Sequence, residues 1–177
     1  MSEHDLELRA ASRADTDAVA AAVARLARPG DIIVLAGEMG AGKTAFAQGF
    51  GRALGVTEPM TSPTYTLVHS HPVETGAHAG RVTLHHADLY RLEHTSEVSD
   101  LALRELAEFA GIVLVEWGDV VDLFGDHLVV RLAADGDAPV DDAALLDGAR
   151  RIDIGAVGGS WAGRWGRLAD AVGSHRC

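Results

Sequence analysis

Residues 37 to 44 read GEMGAGKT, and Lys43 is the only lysine in a chain that places 14 arginines among its 177 residues. An Ala-, Gly- and Arg-rich composition of the kind a GC-rich genome produces accounts for the arginines. It does not account for the exception. That exception falls inside G-x-x-x-x-G-K-[ST], the pattern of a loop whose main-chain amides close around a phosphate chain. A compact ammonium must reach between the β- and γ-phosphates there, and a planar, forked guanidinium has the wrong shape for the space. Amides from Met39, Gly40, Ala41, Gly42, Lys43 and Thr44 are expected to point inward. A helix starting at the loop would add the partial positive charge of its N-terminus. The Thr44 hydroxyl is the expected magnesium ligand. The loop therefore points to ATP and Mg2+ as cofactors.

Phosphoryl transfer on such a loop also needs a carboxylate at the end of a buried strand, to hold the metal or its waters. Glu116 follows the apolar run Ile112-Val113-Leu114-Val115, and Asp88 follows a strand candidate from Arg81 to His86. Ligands gather at the carboxyl ends of strands in α/β sheets. The more apolar strand assigns Glu116 to the metal, and leaves Asp88 to contact a magnesium-bound water or to orient the attacking water. The plain alternative for either acid is a solvated side chain where a strand leaves its sheet. Trp117 is open to stacking on the nucleotide base, to contact with a partner, or to core packing. SPTYT, residues 62 to 66, places two threonines where nucleotide switches sense the γ-phosphate, or is a proline-led turn into a strand. His69 and His71 would share a strand face without further ligands, and adjacent His85 and His86 point to opposite faces, so ordinary surface or core histidines are expected.

The elements that must hold these residues show in the hydrophobic pattern. LELRA reads as a short strand, and ADTDAVAAAVARLARPG as a helix with Asp15 or Thr16 near its N-cap and Pro29-Gly30 ending it. Ile32 to Ala36 form a continuous apolar run, the mark of a strand buried on both faces. KTAFAQGFGRALG continues the loop as a helix whose Phe46, Phe50 and Leu54 recur at i, i+4 and i+8. Gly49 and Gly51 each weaken that helix by about 1 kcal/mol relative to alanine, so close packing against a neighbour is expected there. Gly55 is a C′ stop. TLVHS, RVTLHHA and IVLVEW read as further strands, with a polar helix from Ser96 to Phe109 before the last of them. HLVVRLA and RRIDIGAV read as two late strands, residues 135 to 148 as an acidic surface loop, and Ser160 as the cap of a final helix. The expected fold is α/β: a three-layer P-loop NTPase fold with a mostly parallel central sheet and a late antiparallel strand pair, in one domain over residues 1 to 177.

Hydrophobic content of 47% and charged content of 23% suit one globular domain with a real core. No run approaches the roughly 18 apolar residues that a membrane span needs. The acidic, polar MSEHDLELRA is not a secretory signal. The single cysteine, Cys177, excludes an internal disulfide and a cysteine-based zinc site, so a reducing cytoplasm is the expected compartment. The formal charge of -11 speaks against a general grip on nucleic acid. Any link to RNA is expected to run through a partner, unless the fold gathers arginines into a local patch.

Four blocks in order, GEMGAGKTAFAQGFGRALG, SPTYTLV, HHADLYRL and VLVEWGD, give a further expectation. With them the sequence resembles the TsaE (YjeE) family, the P-loop ATPase of tRNA threonylcarbamoyladenosine biosynthesis, over nearly the whole chain. The resemblance implies a Mg-dependent ATPase, slow alone, that works with the proteins TsaD and TsaB and meets tRNA only through that complex. The two partners transfer threonylcarbamoyl from its adenylate to the adenosine beside the anticodon. The ATPase is not the transferase but resets the complex between turnovers. By the same resemblance Lys43 and Thr44 are the phosphate and magnesium residues, Glu116 the metal-associated acid and Asp88 the aspartate of H-x-D. Trp117 matches the tryptophan near the nucleotide, and Arg151 a late nucleotide contact. Met39 replaces a leucine common in the loop, a nearly neutral swap, and Gly118 stands where proline often follows the tryptophan. Two alternatives remain. A small-molecule P-loop kinase would carry an arginine-rich lid, which the sequence lacks. A nucleotide-gated binding module with negligible turnover is poorly separated from a slow ATPase. A GTPase is disfavoured, because its N-K-x-D motif needs a second lysine.

Overall fold

In the computed structural model, which describes residues 5–63, 67–89, 102–117, 125–136 and 148–177, seven strands form one sheet. They are β1 (Asp5–Ala10), β2 (Ile32–Ala36), β3 (Val68–Pro72), β4 (Thr83–Asp88), β5 (Gly111–Glu116), β6 (His127–Ala134) and β7 (Arg150–Val157), in spatial order β1-β7-β6-β2-β5-β4-β3. The helices are α1 (Arg13–Leu26), α2 (Lys43–Leu54), α3 (Leu103–Glu108) and α4 (Trp165–Ala171). Alternation along β2 explains its apolar run. Ile33 and Leu35 pack with Val19 and Val23 of α1, Phe46 and Phe50 of α2 and Leu168 of α4. Ile32 and Val34 face the other way, toward Leu103 and Ala107 of α3. Helices thus cover both faces, and the three-layer expectation holds.

The expectation of a mostly parallel sheet does not. β6, β2, β5 and β4 run parallel to one another, but β1–β7, β7–β6 and β4–β3 are antiparallel. Among the described residues the sheet is mixed. The late pair was legible; the β3–β4 pair follows from its ten-residue connection, too short for the crossover that parallel neighbours require.

Helix α1 starts earlier than expected. Its N-cap is Ser12, whose hydroxyl accepts the Asp15 N–H at 3.3 Å while the Asp15 carboxylate accepts from the Ala11 N–H at 3.0 Å. Asp15 therefore returns a hydrogen bond to the residue before the cap and is not itself the cap. The glycines of α2 do mark close packing. A Cβ on Gly49 would stand 3.1 Å from Asp17 Cα on α1, and one on Gly51 would overlap the Met60 sulfur. Gly55 closes the helix at φ 115, as expected.

Ser160 does not cap the final helix. Its N–H donates to Asp126 at 3.1 Å and its carbonyl accepts from Arg164 at 2.8 Å, and a 3-10 turn (Ala162–Arg164) precedes α4. Arg164 is buried and bidentate to Asp31, at 2.6 and 2.8 Å, and lies 4.0 Å over the Trp161 ring. Asp31→Ala would strand that guanidinium, so a loss of about 3–5 kcal/mol is expected in urea unfolding. A change within experimental error would show that the pair does not hold the C-terminal segment. After α4 the chain returns to β1: Arg176 bridges Leu8 in antiparallel fashion, and the Cys177 N–H donates to the Glu7 carbonyl at 3.2 Å.

Thr64 and Thr66 of SPTYT, residues 90–92 of the DLYRL block, residues 96–101 of the expected polar helix, Gly118, and residues 137–147 of the acidic stretch lie outside the described residues. Among the described residues no helix is long and apolar enough to cross a membrane.

Candidate functional site

The glycine loop leaves the carboxyl end of β2 and enters α2 at Lys43. Its first glycine admits no side chain: Gly37 sits at φ 139, and a Cβ there would overlap the Leu132 carbonyl oxygen of β6. Lys43 is only 5% exposed and its Nζ donates to the Gly37 and Glu38 carbonyls at 2.6 and 2.8 Å. The ammonium is thus held inside the loop. One expected amide is otherwise engaged, since the Ala41 N–H donates to the Glu38 carbonyl at 3.1 Å and closes a turn.

Trp117 forms the opposite wall, with Lys43 Nζ 3.9 Å from the ring centroid. This is a cation–π contact, which reaches about 2 kcal/mol when desolvated. The tryptophan backbone is at φ 62, a left-handed conformation that costs a bulky residue about 1–3 kcal/mol. Its N–H donates to Leu35 O at 3.0 Å, which ties the turn after β5 to the end of β2.

Met39, Gly40, Gly42, Lys43, Thr44, Asp88, Glu116 and Trp117 line one cavity of about 420 Å³. Asp88 and Glu116 are register partners at the ends of β4 and β5, so two carboxyl groups stand side by side at the strand ends. Glu116 is 2% exposed. Its Oε1 accepts from the Thr44 hydroxyl at 3.4 Å, and Thr44 and Ser62 share a hydrogen bond of 2.9 Å.

Sequence reading missed three participants. His86, read as an ordinary histidine, is fully buried and its Nε2 lies 2.8 Å from Glu116 Oε1. Its Nδ1 has no hydrogen-bond partner among the described residues, which favours the tautomer with the proton on Nε2, donating to the carboxylate. The second is Arg150, whose Nε donates to Ala41 O at 3.0 Å and braces the loop from behind. The third is Gln48, which accepts from Arg13 Nη2 and donates to Met60 O, both at 2.9 Å, and lines the cavity together with Arg13.

Arg151 is not brought into this cavity. Its side chain is 61% exposed and lies 3.6 Å from Asp153. With Ala41, Met39 and Gly40 it lines a second cavity, of about 630 Å³, on the other flank of the loop. The remaining histidines stand apart: His85 bonds Ser70 at 2.8 Å, and His71 bonds Glu58 at 2.6 Å. Burial, and then the neighbouring His71, push the His85 pKa down. Among the described residues no group of three or more His, Cys, Asp or Glu side chains could hold a metal ion.

Fold and site together define a three-layer α/β protein in which a glycine-rich loop carries a buried lysine from a central strand into a helix, beside two strand-end carboxyl groups. The match is more particular than that. Residues 10–139 fit the family model described as Threonylcarbamoyl adenosine biosynthesis protein TsaE, and the chain belongs to that family. It is 34% identical over 139 residues to the tRNA threonylcarbamoyladenosine biosynthesis protein TsaE of Treponema pallidum, covering 75% of this chain and 98% of that one. To the protein of the same name from Streptomyces coelicolor it is 36% identical over 143 residues, covering 79% and 89%. The crystal structure of Bacillus subtilis YdiB superposes with a TM-score of 0.66 at 29% identity, over 96% of this chain and 95% of that one.

Proposed function

We propose that the chain binds ATP with Mg2+ and hydrolyses it slowly, in support of the threonylcarbamoyladenosine biosynthesis on tRNA that its relatives' names describe. The observation that carries this reading is the convergence of Lys43, Thr44 and Glu116 on one cavity at the carboxyl end of β2. The donors suit magnesium. Thr44, Ser62, Asp88 and Glu116 offer hard oxygen atoms, and Mg2+ is commonly held by one or two carboxylates together with substrate phosphates. When bound, the ion would neutralise charge on the phosphates.

The chain's own groups do the rest by position and electrostatics. Lys43 turns its ammonium from the loop carbonyls toward the β- and γ-phosphates. Thr44 and Glu116 would hold the metal side, with His86 keeping the Glu116 carboxylate in place through its hydrogen bond. Asp88, at the end of the neighbouring strand, would accept a hydrogen bond from a water on the metal or from the attacking water. Trp117 walls the phosphate end, while Met39, Gly40, Gly42 and the flanking cavity with Ala41 and Arg151 are left for the rest of the nucleotide. TsaD and TsaB are the proposed partners, tRNA is met through them, and the compartment is the cytoplasm.

The test is phosphate release by the purified chain with and without TsaD and TsaB. Slow turnover alone and acceleration by the pair is the expected result. Acceleration by a small-molecule acceptor that emerges phosphorylated would replace this reading with a kinase.

A further inference from the structure

At the end of the sheet opposite the glycine loop, three arginines and a histidine line one small cavity of this acidic chain. Arg25 and Arg28, at and just beyond the end of α1, Arg167 of α4 and His78 of the β3–β4 connection share about 200 Å³, and Leu26 and Ala27 complete the lining. No carboxylate is among them. None of the three guanidiniums forms an ion pair or hydrogen bond with a side chain or carbonyl among the described residues. The neighbouring acid, Asp31, is committed to Arg164. Like charges gathered without a counter-charge repel one another, and an anion between them relieves that repulsion.

The backbones that present these groups are fixed. The Arg28 N–H donates to Asp31 Oδ2 at 2.7 Å, and the Asp31 N–H returns to the Arg28 carbonyl at 3.0 Å. His78 heads a turn in which its carbonyl accepts from the N–H groups of Arg81 and Val82, at 3.1 and 3.2 Å. The guanidinium fork matches the oxygens of a phosphate group, often two at a time. The cavity is smaller than the roughly 300–1,000 Å³ of ordinary ligand pockets, a size for one phosphate rather than a whole nucleotide. It also lies at the amino end of β2, roughly 17 Å of strand from the loop, so the phosphates at the loop cannot be the ones it serves. We propose that this arginine cavity is a second, separate phosphate-binding site, which takes one phosphate group, either as a free ion or as a link of an RNA backbone.

The experiment compares the full chain with its Arg25→Gln/Arg28→Gln/Arg167→Gln variant, using two probes at low salt. One is inorganic phosphate, followed by the His78 ring resonance, which is assigned by its loss in His78→Gln. The other is a short fluorescent oligouridylate, followed by anisotropy. The variant should keep its melting temperature and its ATPase activity. Oligouridylate affinity that falls about tenfold or more in the variant supports the site with RNA as its source. For single strands, a site that seats one phosphate should contribute about -0.7 to the salt slope. A phosphate-induced His78 shift that the variant loses, without oligouridylate affinity, supports the site with the free ion as its source. Equal binding by both proteins, or no response to either probe, overturns it.

Discussion

Lys43→Ala is expected to weaken ATP binding by about a hundredfold or more, which places it beyond detection in an ordinary calorimetric titration. Charge-assisted hydrogen bonds contribute about 1.5–3 kcal/mol each, and one ammonium reaching two phosphates makes at least two. The structure supplies the premise, because the amine is held in the loop by the Gly37 and Glu38 carbonyls and by the Trp117 ring rather than dispersed in solvent. Lys43→Arg is the sharper comparison. It keeps the charge, but brings a planar fork into a space already bounded by two carbonyls and an indole, and it should fail nearly as badly. Melting curves of both variants separate lost binding from lost fold. Unchanged affinity in the alanine variant with its fold intact would sink the assignment of the loop.

The second large effect falls on hydrolysis rather than binding. Glu116→Gln should lower Mg-dependent turnover by about 10²–10³, while nucleotide affinity measured without metal changes only severalfold. Glutamine is the informative choice. Its amide oxygen still accepts from His86 Nε2 and from the Thr44 hydroxyl, so the buried contacts at 2.8 and 3.4 Å survive and only the charge is removed. Alanine would instead leave buried His86 without its acceptor and confound chemistry with stability. Equal loss of metal-free binding and turnover in the glutamine variant would mean that Glu116 serves the fold.

The residues legible in the sequence are those whose meaning is local. Lys43 and Thr44 follow from the spacing of one loop, and Glu116 from an acid ending an apolar run. His86 and Arg150 depend on phase and register. Arg150 alternates with Ile152 and Ile154, a pattern that already turns it inward and Arg151 outward, so the strand itself carried a signal that family resemblance overrode. His86 shares a sheet face with Leu84, and Glu116 shares one with Leu114. That these are the same face, one strand apart, is settled by pairing His86 with Leu114 across 28 residues of chain. No window of sequence contains that pairing. Strand direction at β3 was recoverable from the length of its connection. The arginine cavity was not, since its members come from residues 25 to 167 and meet only because α4 packs on α1.

The return of the last residues to β1 bears on how this protein is handled. Arg176 and Cys177 occupy hydrogen-bonding positions along Leu8 and Glu7, at the rim of the sheet where an unpaired strand would otherwise invite another molecule to dock by its main chain. Substitutions that lift Arg176 and Cys177 from that ladder would leave the rim bare. Self-association of such a variant would then report a peeled border rather than a native assembly.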